Sequence, residues 1–120
     1  MIRFTPVAPS LVPALALAAL LAAGAPALAQ EVTKEEYCGQ TANVVAAIQQ
    51  ARLDRVKERD VRDTILETDP AWPDKYDNAI VQMTPWVYEQ KMRDVRNNDL
   101  GAVWSEVCTA NWDAFKDSLN

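Results

Sequence analysis

The sequence predicts an all-α domain: a small bundle of three to four antiparallel helices closed by one disulfide. Apolar residues recur at three- and four-residue spacing beyond about residue 33, whereas no segment has the two-residue alternation of a β-strand. A Pro-rich segment and an Asn-rich segment separate these stripes, and two cysteines lie near the two ends of the region. Short connections between amphipathic helices favour antiparallel packing around one core.

Residues 1–29 have the three parts of a cleavable secretory signal. Arg3 supplies positive charge, residues 11–22 are apolar and uncharged, and Ala27-Leu28-Ala29 offers small residues where a signal peptidase cuts. The alternative is an uncleaved membrane anchor, but two prolines and a glycine interrupt a stretch that would need about 20 apolar residues. Cleavage leaves residues 30–120 as a single helical domain. The Ala-rich signal resembles those of Gram-negative bacteria, which predicts a periplasmic location, with secretion as the alternative.

The mature domain is acidic and contains no histidine. Without Arg3, 11 of the 12 Lys and Arg residues remain against 17 Asp and Glu, so the net charge is −6. Such a domain is a poor candidate for binding nucleic acid or anionic lipid over its whole surface. Histidine is the commonest metal ligand and the side chain most used for acid–base catalysis near neutral pH. The sequence also lacks the residue spacing of a calcium-binding loop and any motif of a catalytic nucleophile. We therefore expect no catalytic residue, no cofactor and no metal, and a protein that is not an enzyme.

The first predicted helix begins at a capping box, Thr33 to Glu36. Beyond Ala51 two alternatives remain open: the helix continues, or it breaks before Asp60 and restarts. If it continues, its basic residues fall within an arc of about 80°. That stripe would consist of Arg52, Arg55, Arg59 and Arg62.

Two further helices follow the Pro-rich loop at residues 69–74. Asp74 is a predicted N-cap for the first, whose apolar stripe reaches Val95. Pro85 either starts a new helix or kinks a continuous one. The last helix follows a turn at Asn97-Asn98-Asp99. Its apolar positions are Leu100, Val103, Trp104, Val107, Cys108, Trp112, Phe115 and Leu119.

The two cysteines, Cys38 and Cys108, are predicted to form a structural disulfide. An oxidising compartment favours their pairing, and the bridge would join the start of the domain to its last helix. Reactive thiols are the alternative. No Cys-x-x-Cys motif or histidine supports that alternative.

Two groups of side chains are candidates for contact with a protein partner. A stripe of guanidinium groups could bind carboxylates, or it could be a solvated face with local ion pairs. Trp72, between two prolines, and Trp86, off its apolar stripe, could form an exposed aromatic patch or could fill the core. The leading hypothesis is a small non-catalytic periplasmic accessory protein that docks on another envelope protein. Its expected contact residues are Arg52, Arg55, Arg59, Arg62, Trp72 and Trp86.

The mature chain is also similar in outline to the periplasmic acid-stress chaperones of enteric bacteria, being short, helical, exported and equipped with two cysteines. The resemblance is one of architecture and implies a chaperone active in acid. Protonation of the 17 carboxylates would leave a strongly positive chain that loosens and exposes its Trp-rich faces. The disulfide would limit that opening.

Overall fold

The computed structural model describes residues 32–119, and within this range all regular structure is helical, which confirms the all-α prediction. The signal predicted at residues 1–29 lies outside the described residues and stays a prediction. Three 3-10 turns, Glu58–Asp60, Asp74–Tyr76 and Lys116–Leu119, accompany the α-helices. The α-helices are α1 (Lys34–Leu53), α2 (Val61–Leu66), α3 (Asp77–Glu89), α4 (Met92–Asn97), α5 (Leu100–Ala110) and α6 (Trp112–Phe115).

The longest helix, α1, is the centre of the bundle and packs against α5, α3 and α2. The Tyr76 hydroxyl, just before α3, donates to the Glu36 carboxylate near the start of α1, while Arg52 contacts Val87 near the ends of both helices. Therefore α3 runs parallel to α1. The connecting segment, which contains α2, returns the chain from the end of α1 to the level of its start. The Cys38–Cys108 bond joins the start of α1 to the end of α5, so α5 runs antiparallel to α1.

The ends of α1 are determined by local backbone chemistry. Its start is capped as predicted, because the Thr33 hydroxyl accepts a hydrogen bond from the Glu36 amide at 3.1 Å. At its end the Arg55 amide donates to the Arg52 carbonyl and the Val56 amide to the Ala51 carbonyl. These two bonds make a Schellman motif, which stops the helix at Leu53. The alternative of a break between Ala51 and Asp60 is thus the one adopted.

Helix α3 continues through Pro85 without restarting. Proline has no amide hydrogen, so the carbonyl of Val81 loses its usual partner one turn earlier. The Val81 side chain is 56% exposed, which places this carbonyl on the solvent side of the helix. Water can therefore hydrate the carbonyl, and the apolar face of α3 is uninterrupted.

The core lies between α1, α3 and the shorter segments. Its polar members are satisfied: the Thr41 hydroxyl donates to the Tyr37 carbonyl, and in the described part of the chain no buried side-chain polar atom lacks a partner. The apolar members come from every α-helix up to α5 and from the loop before α3. The largest fully buried apolar side chains are Val44, Val45, Ile48, Val61, Ile80, Val87 and Val95.

The predicted disulfide is confirmed. The Cα atoms of Cys38 and Cys108 are 5.6 Å apart, and both side chains are buried. Near the other end of the same interface, a Cβ atom on Gly101 would lie 2.8 Å from the Ala42 carbonyl oxygen, so only glycine permits this approach of α5 to α1. A buried structural bridge of this kind is consistent with an oxidising compartment.

Candidate functional site

The predicted arginine stripe does not form, because α1 ends before three of its four members. Arg52, the member inside the helix, is half-buried and binds within the protein. Its guanidinium donates to the carbonyl of Val87 and lies 5.4 Å from the centre of the Tyr88 ring. A cation at the carbonyl end of α3 stabilises that helix end. Arg52 thus uses its charge inside the fold, and its contact with a partner stays a prediction.

The other three arginines of the expected stripe are exposed around the connection from α1 to α2. Arg59 lies 4.0 Å from Asp60, and Arg62 lies 3.6 Å from Asp63. Both pairs join neighbouring residues on an exposed surface, where ion pairs contribute less than about 1 kcal/mol. Their guanidinium groups can therefore exchange these carboxylates for others at little cost.

Arg55 differs from its neighbours in backbone conformation. Its φ angle is 64°, in the left-handed region that glycine adopts freely and that costs other residues about 1 kcal/mol or more. Its side chain is exposed and forms no ion pair among the described residues. The adjacent Asp54 carboxylate accepts from Gln50 instead.

Trp72 is buried, with 9% of its surface exposed, so the prediction that it belongs to an exposed patch is wrong. Its indole N–H donates to the Asp77 carboxylate at 2.9 Å, and its ring packs into the core. The loop turns back sharply because Asp69 adopts a positive φ of 52° before Pro70. The side chain between the two prolines is thereby directed inward and closes the end of the core.

Trp86 is half-buried and pairs with Trp104 of α5, with ring centres 6.4 Å apart. The Trp104 indole N–H donates to the Thr41 hydroxyl of α1 at 2.7 Å, which orients that ring. The two rings bridge α3 and α5, whose backbones scarcely approach each other. The part of this pair that stays accessible is an aromatic surface at the junction of the two helices.

An apolar strip on α5 continues from the Trp86–Trp104 pair. Val103 and Val107 were expected on the buried stripe, but their side chains are 39% and 44% exposed. Val103 precedes Trp104 directly and Val107 follows it by three residues, so the two valines lie one helical turn apart on one side of α5. The reason is geometric: Gly101 and Cys108 are the residues that face α1, which turns the valines outward. We call Trp86, Trp104, Val103 and Val107 the apolar surface.

A shallow groove of about 360 Å³ lies at the end of the bundle where α1 and α3 begin. Tyr37 and Tyr76, whose ring centres are 6.2 Å apart, form part of its lining together with Lys75 and Leu119. The Lys75 ammonium lies 3.2 Å from the Glu36 carboxylate, which also accepts from the Tyr76 hydroxyl. Burial, reinforced by this carboxylate, raises the pKa of Tyr76 to about 12.

The raised pKa of Tyr76 predicts that the protein loses stability in alkali. The folded state holds the Tyr76 proton more tightly than the unfolded chain, whose tyrosines have a pKa of about 10. Its stabilisation is therefore complete below about pH 10 and is lost as the pH rises towards about 12, by up to about 2 kcal/mol. Urea unfolding between about pH 10 and about pH 12 should show this decrease in unfolding free energy, and the decrease should be smaller in Tyr76→Phe. Burial also raises the pKa of Tyr37 and Tyr88, so some dependence should persist in that variant; an unchanged wild-type curve would contradict the assignment.

Within residues 32–119 no group of three or more His, Cys, Asp or Glu side chains could hold a metal ion. In the same range, no helix combines the length and apolar character that crossing a bilayer requires. Comparisons with protein-family models, with curated proteins and with solved structures gave no match to this chain.

Proposed function

We propose that the mature domain is a small non-catalytic accessory protein of the cell envelope that docks on another protein. The observation that carries this proposal is the apolar surface. Two valines, each more than one-third exposed, adjoin a pair of half-buried tryptophans. Tryptophan is among the residues most enriched at binding hot spots, and accessible apolar groups next to it favour a protein contact.

The internal bonds of this region suit it to docking. Trp104 is held by its hydrogen bond to Thr41, and α5 is covalently tied to α1 through Cys108. A partner would meet side chains that are already ordered, so binding would cost little conformational entropy. The periplasm is the proposed location, because the buried disulfide fits an oxidising compartment and the N-terminal segment is expected to direct export.

The test is capture of a partner by the mature protein, followed by substitution of the apolar surface. Tagged protein produced in the periplasm of its own host should recover a partner in a constant ratio. Replacing Val103 and Val107 by glutamine removes apolar surface while keeping good helix formers, and should weaken the association about tenfold, or 1.4 kcal/mol. Val81→Gln is the matched control, because Val81 is a more exposed valine on α3. Recovery of the domain alone, or equal weakening by the control, would refute the proposal.

The acid-stress chaperone is the second candidate, and the same surface favours it. Client proteins unfolded by acid expose apolar segments, which accessible tryptophan and valine side chains can bind. Neutralising the 17 carboxylates would leave the 11 Lys and Arg charges, which would keep a loaded complex soluble. If the domain suppresses light scattering by a client protein at about pH 2–3 and captures no partner at neutral pH, the chaperone function replaces the accessory one.

A further inference from the structure

A second surface lies at the end of the bundle where α1 and α3 both terminate. Two contacts bring these helix ends together: Arg52 donates to the Val87 carbonyl, and the Tyr88 hydroxyl donates to the Val56 carbonyl at 2.6 Å. The residues that follow each helix therefore share this end of the molecule. We call Leu53, Arg55, Lys57 and Lys91 the basic end.

The cations of the basic end are available to a ligand. Arg55, Lys57 and Lys91 are exposed, and none of them forms an ion pair with a described residue. At the opposite end of the bundle Lys75 is paired with Glu36. Lys34 and Arg96 also lack an ion pair with a described residue, but the basic end holds three such cations in a domain whose net charge is −6. Leu53, 37% exposed, adds an apolar group beside them.

Arg55 occupies a position that stability alone would give to glycine. It is the left-handed residue of the Schellman motif that ends α1, where glycine carries no steric penalty. Its side chain repays none of that penalty within the described part of the fold, because it is exposed and forms no ion pair there. A strained backbone position that holds a free guanidinium indicates that the side chain acts outside the fold.

We propose that the basic end binds an acidic segment of a protein, with Arg55 pairing with a carboxylate and Leu53 contacting an apolar neighbour. This inference rests on the proposed docking function and names the chemistry of a second contact. Charge complementarity selects the occupant, since a planar guanidinium pairs with a carboxylate through two hydrogen bonds.

The arrangement of charges favours a protein over an anionic membrane. Asp54, Glu58 and Glu89 lie in sequence among or next to the cations of the basic end. A lipid surface of uniform negative potential attracts clusters of basic residues and repels such interspersed carboxylates. A protein segment can place its own carboxylates opposite Arg55 and Lys57 and leave room for those of this domain.

The decisive variant is Arg55→Gly, which should move stability and binding in opposite directions. Relief of the left-handed strain should raise Tm by about 4 °C. Affinity for a fluorescein-labelled peptide of alternating glutamate and leucine, measured by anisotropy at low salt, should fall at least about fivefold. A residue with only a structural role would not gain stability and lose binding together.

Three controls make the outcome decisive. Lys116→Gln, at the other end of the bundle, changes the net charge equally and should leave peptide affinity within about twofold. A peptide of alternating glutamine and leucine should bind weakly, and vesicles containing phosphatidylglycerol should not bind in an Arg55-dependent way.

The inference is overturned if Arg55→Gly binds the acidic peptide as well as the wild type does, if Lys116→Gln weakens binding equally, or if the vesicles bind through Arg55. It can fail while the proposed function stands. In that case the glutamine variants at Val103 and Val107 would still lose the captured partner.

Discussion

The Cys38→Ala, Cys108→Ala double variant is expected to lose about 4 kcal/mol of unfolding free energy. The bridge spans 70 positions of the chain, and removing it returns to the unfolded ensemble the entropy of a loop of that length. A domain of this size has a total stability of about 5–10 kcal/mol, so the loss would leave it marginally folded at 25 °C. Alanine keeps both buried positions apolar, which limits the effect to the lost link and two small cavities.

Urea unfolding of the oxidised wild type, the reduced wild type and the double variant measures this effect. The reduced protein should unfold close to the double variant and far below the oxidised form. The disulfide joins the start of α1 to the end of α5, so amide hydrogen exchange should increase most where these helices meet. If all three samples unfolded at the same urea concentration, the bridge would contribute nothing to stability.

Gln49→Ala is expected to cost about 3 kcal/mol although it removes only one half-buried polar side chain. The Gln49 amide nitrogen donates to the carbonyls of Val95 and Asn98, at 2.6 and 2.7 Å, and its oxygen accepts from the Leu100 amide at 3.1 Å. This one side chain therefore supplies hydrogen-bond partners to backbone groups at the end of α4 and the start of α5 that have none within their own helices. Leaving the Val95 carbonyl and the Leu100 amide unpaired at partly buried positions costs about 1.5 kcal/mol each, whereas water can replace the bond to the exposed Asn98 carbonyl.

Gln50→Ala is the matched control for this variant. Gln50 is the next residue of α1, is exposed, and its side-chain amide donates to the Asp54 carboxylate one turn later. It should change stability by less than about 0.5 kcal/mol. Thermal unfolding of both variants, with exchange of the Leu100 amide as a local probe, distinguishes the interhelical role of Gln49 from a general helix effect. Equal losses in the two variants would contradict that role.

Local patterns were sufficient for several features of the fold. The Thr33 cap and the Asp99 cap, whose carboxylate accepts from the Ala102 amide, depend on residues within one turn of each other. The apolar positions of α1, such as Val44 and Ile48, are buried as their spacing predicts. Interactions of this range are encoded in consecutive residues, so they can be derived without knowing where the helices pack.

The candidate site was less predictable because its residues depend on packing between distant segments. Helical periodicity grouped Val103 and Val107 with Cys108, but the disulfide and the close approach at Gly101 turn the valines outward. Trp72 carried the same sequence signal as an exposed aromatic residue, and the turn at Asp69 buries it. No sequence signal distinguished Gln49 from Gln50, since the partners of Gln49 lie 46 to 51 positions away.

The sequence by itself determined the fold class and the covalent link. Apolar periodicity and the two cysteines are properties of composition and spacing, and they do not change with helix orientation. The tertiary structure alone decided which cations are free. Arg52 binds the end of α3 and Arg55 does not, because Arg55 is itself the left-handed residue at which the chain turns away from α1. The basic end follows from that turn, and the apolar surface follows from the orientation of α5, whose Gly101 and Cys108 face α1.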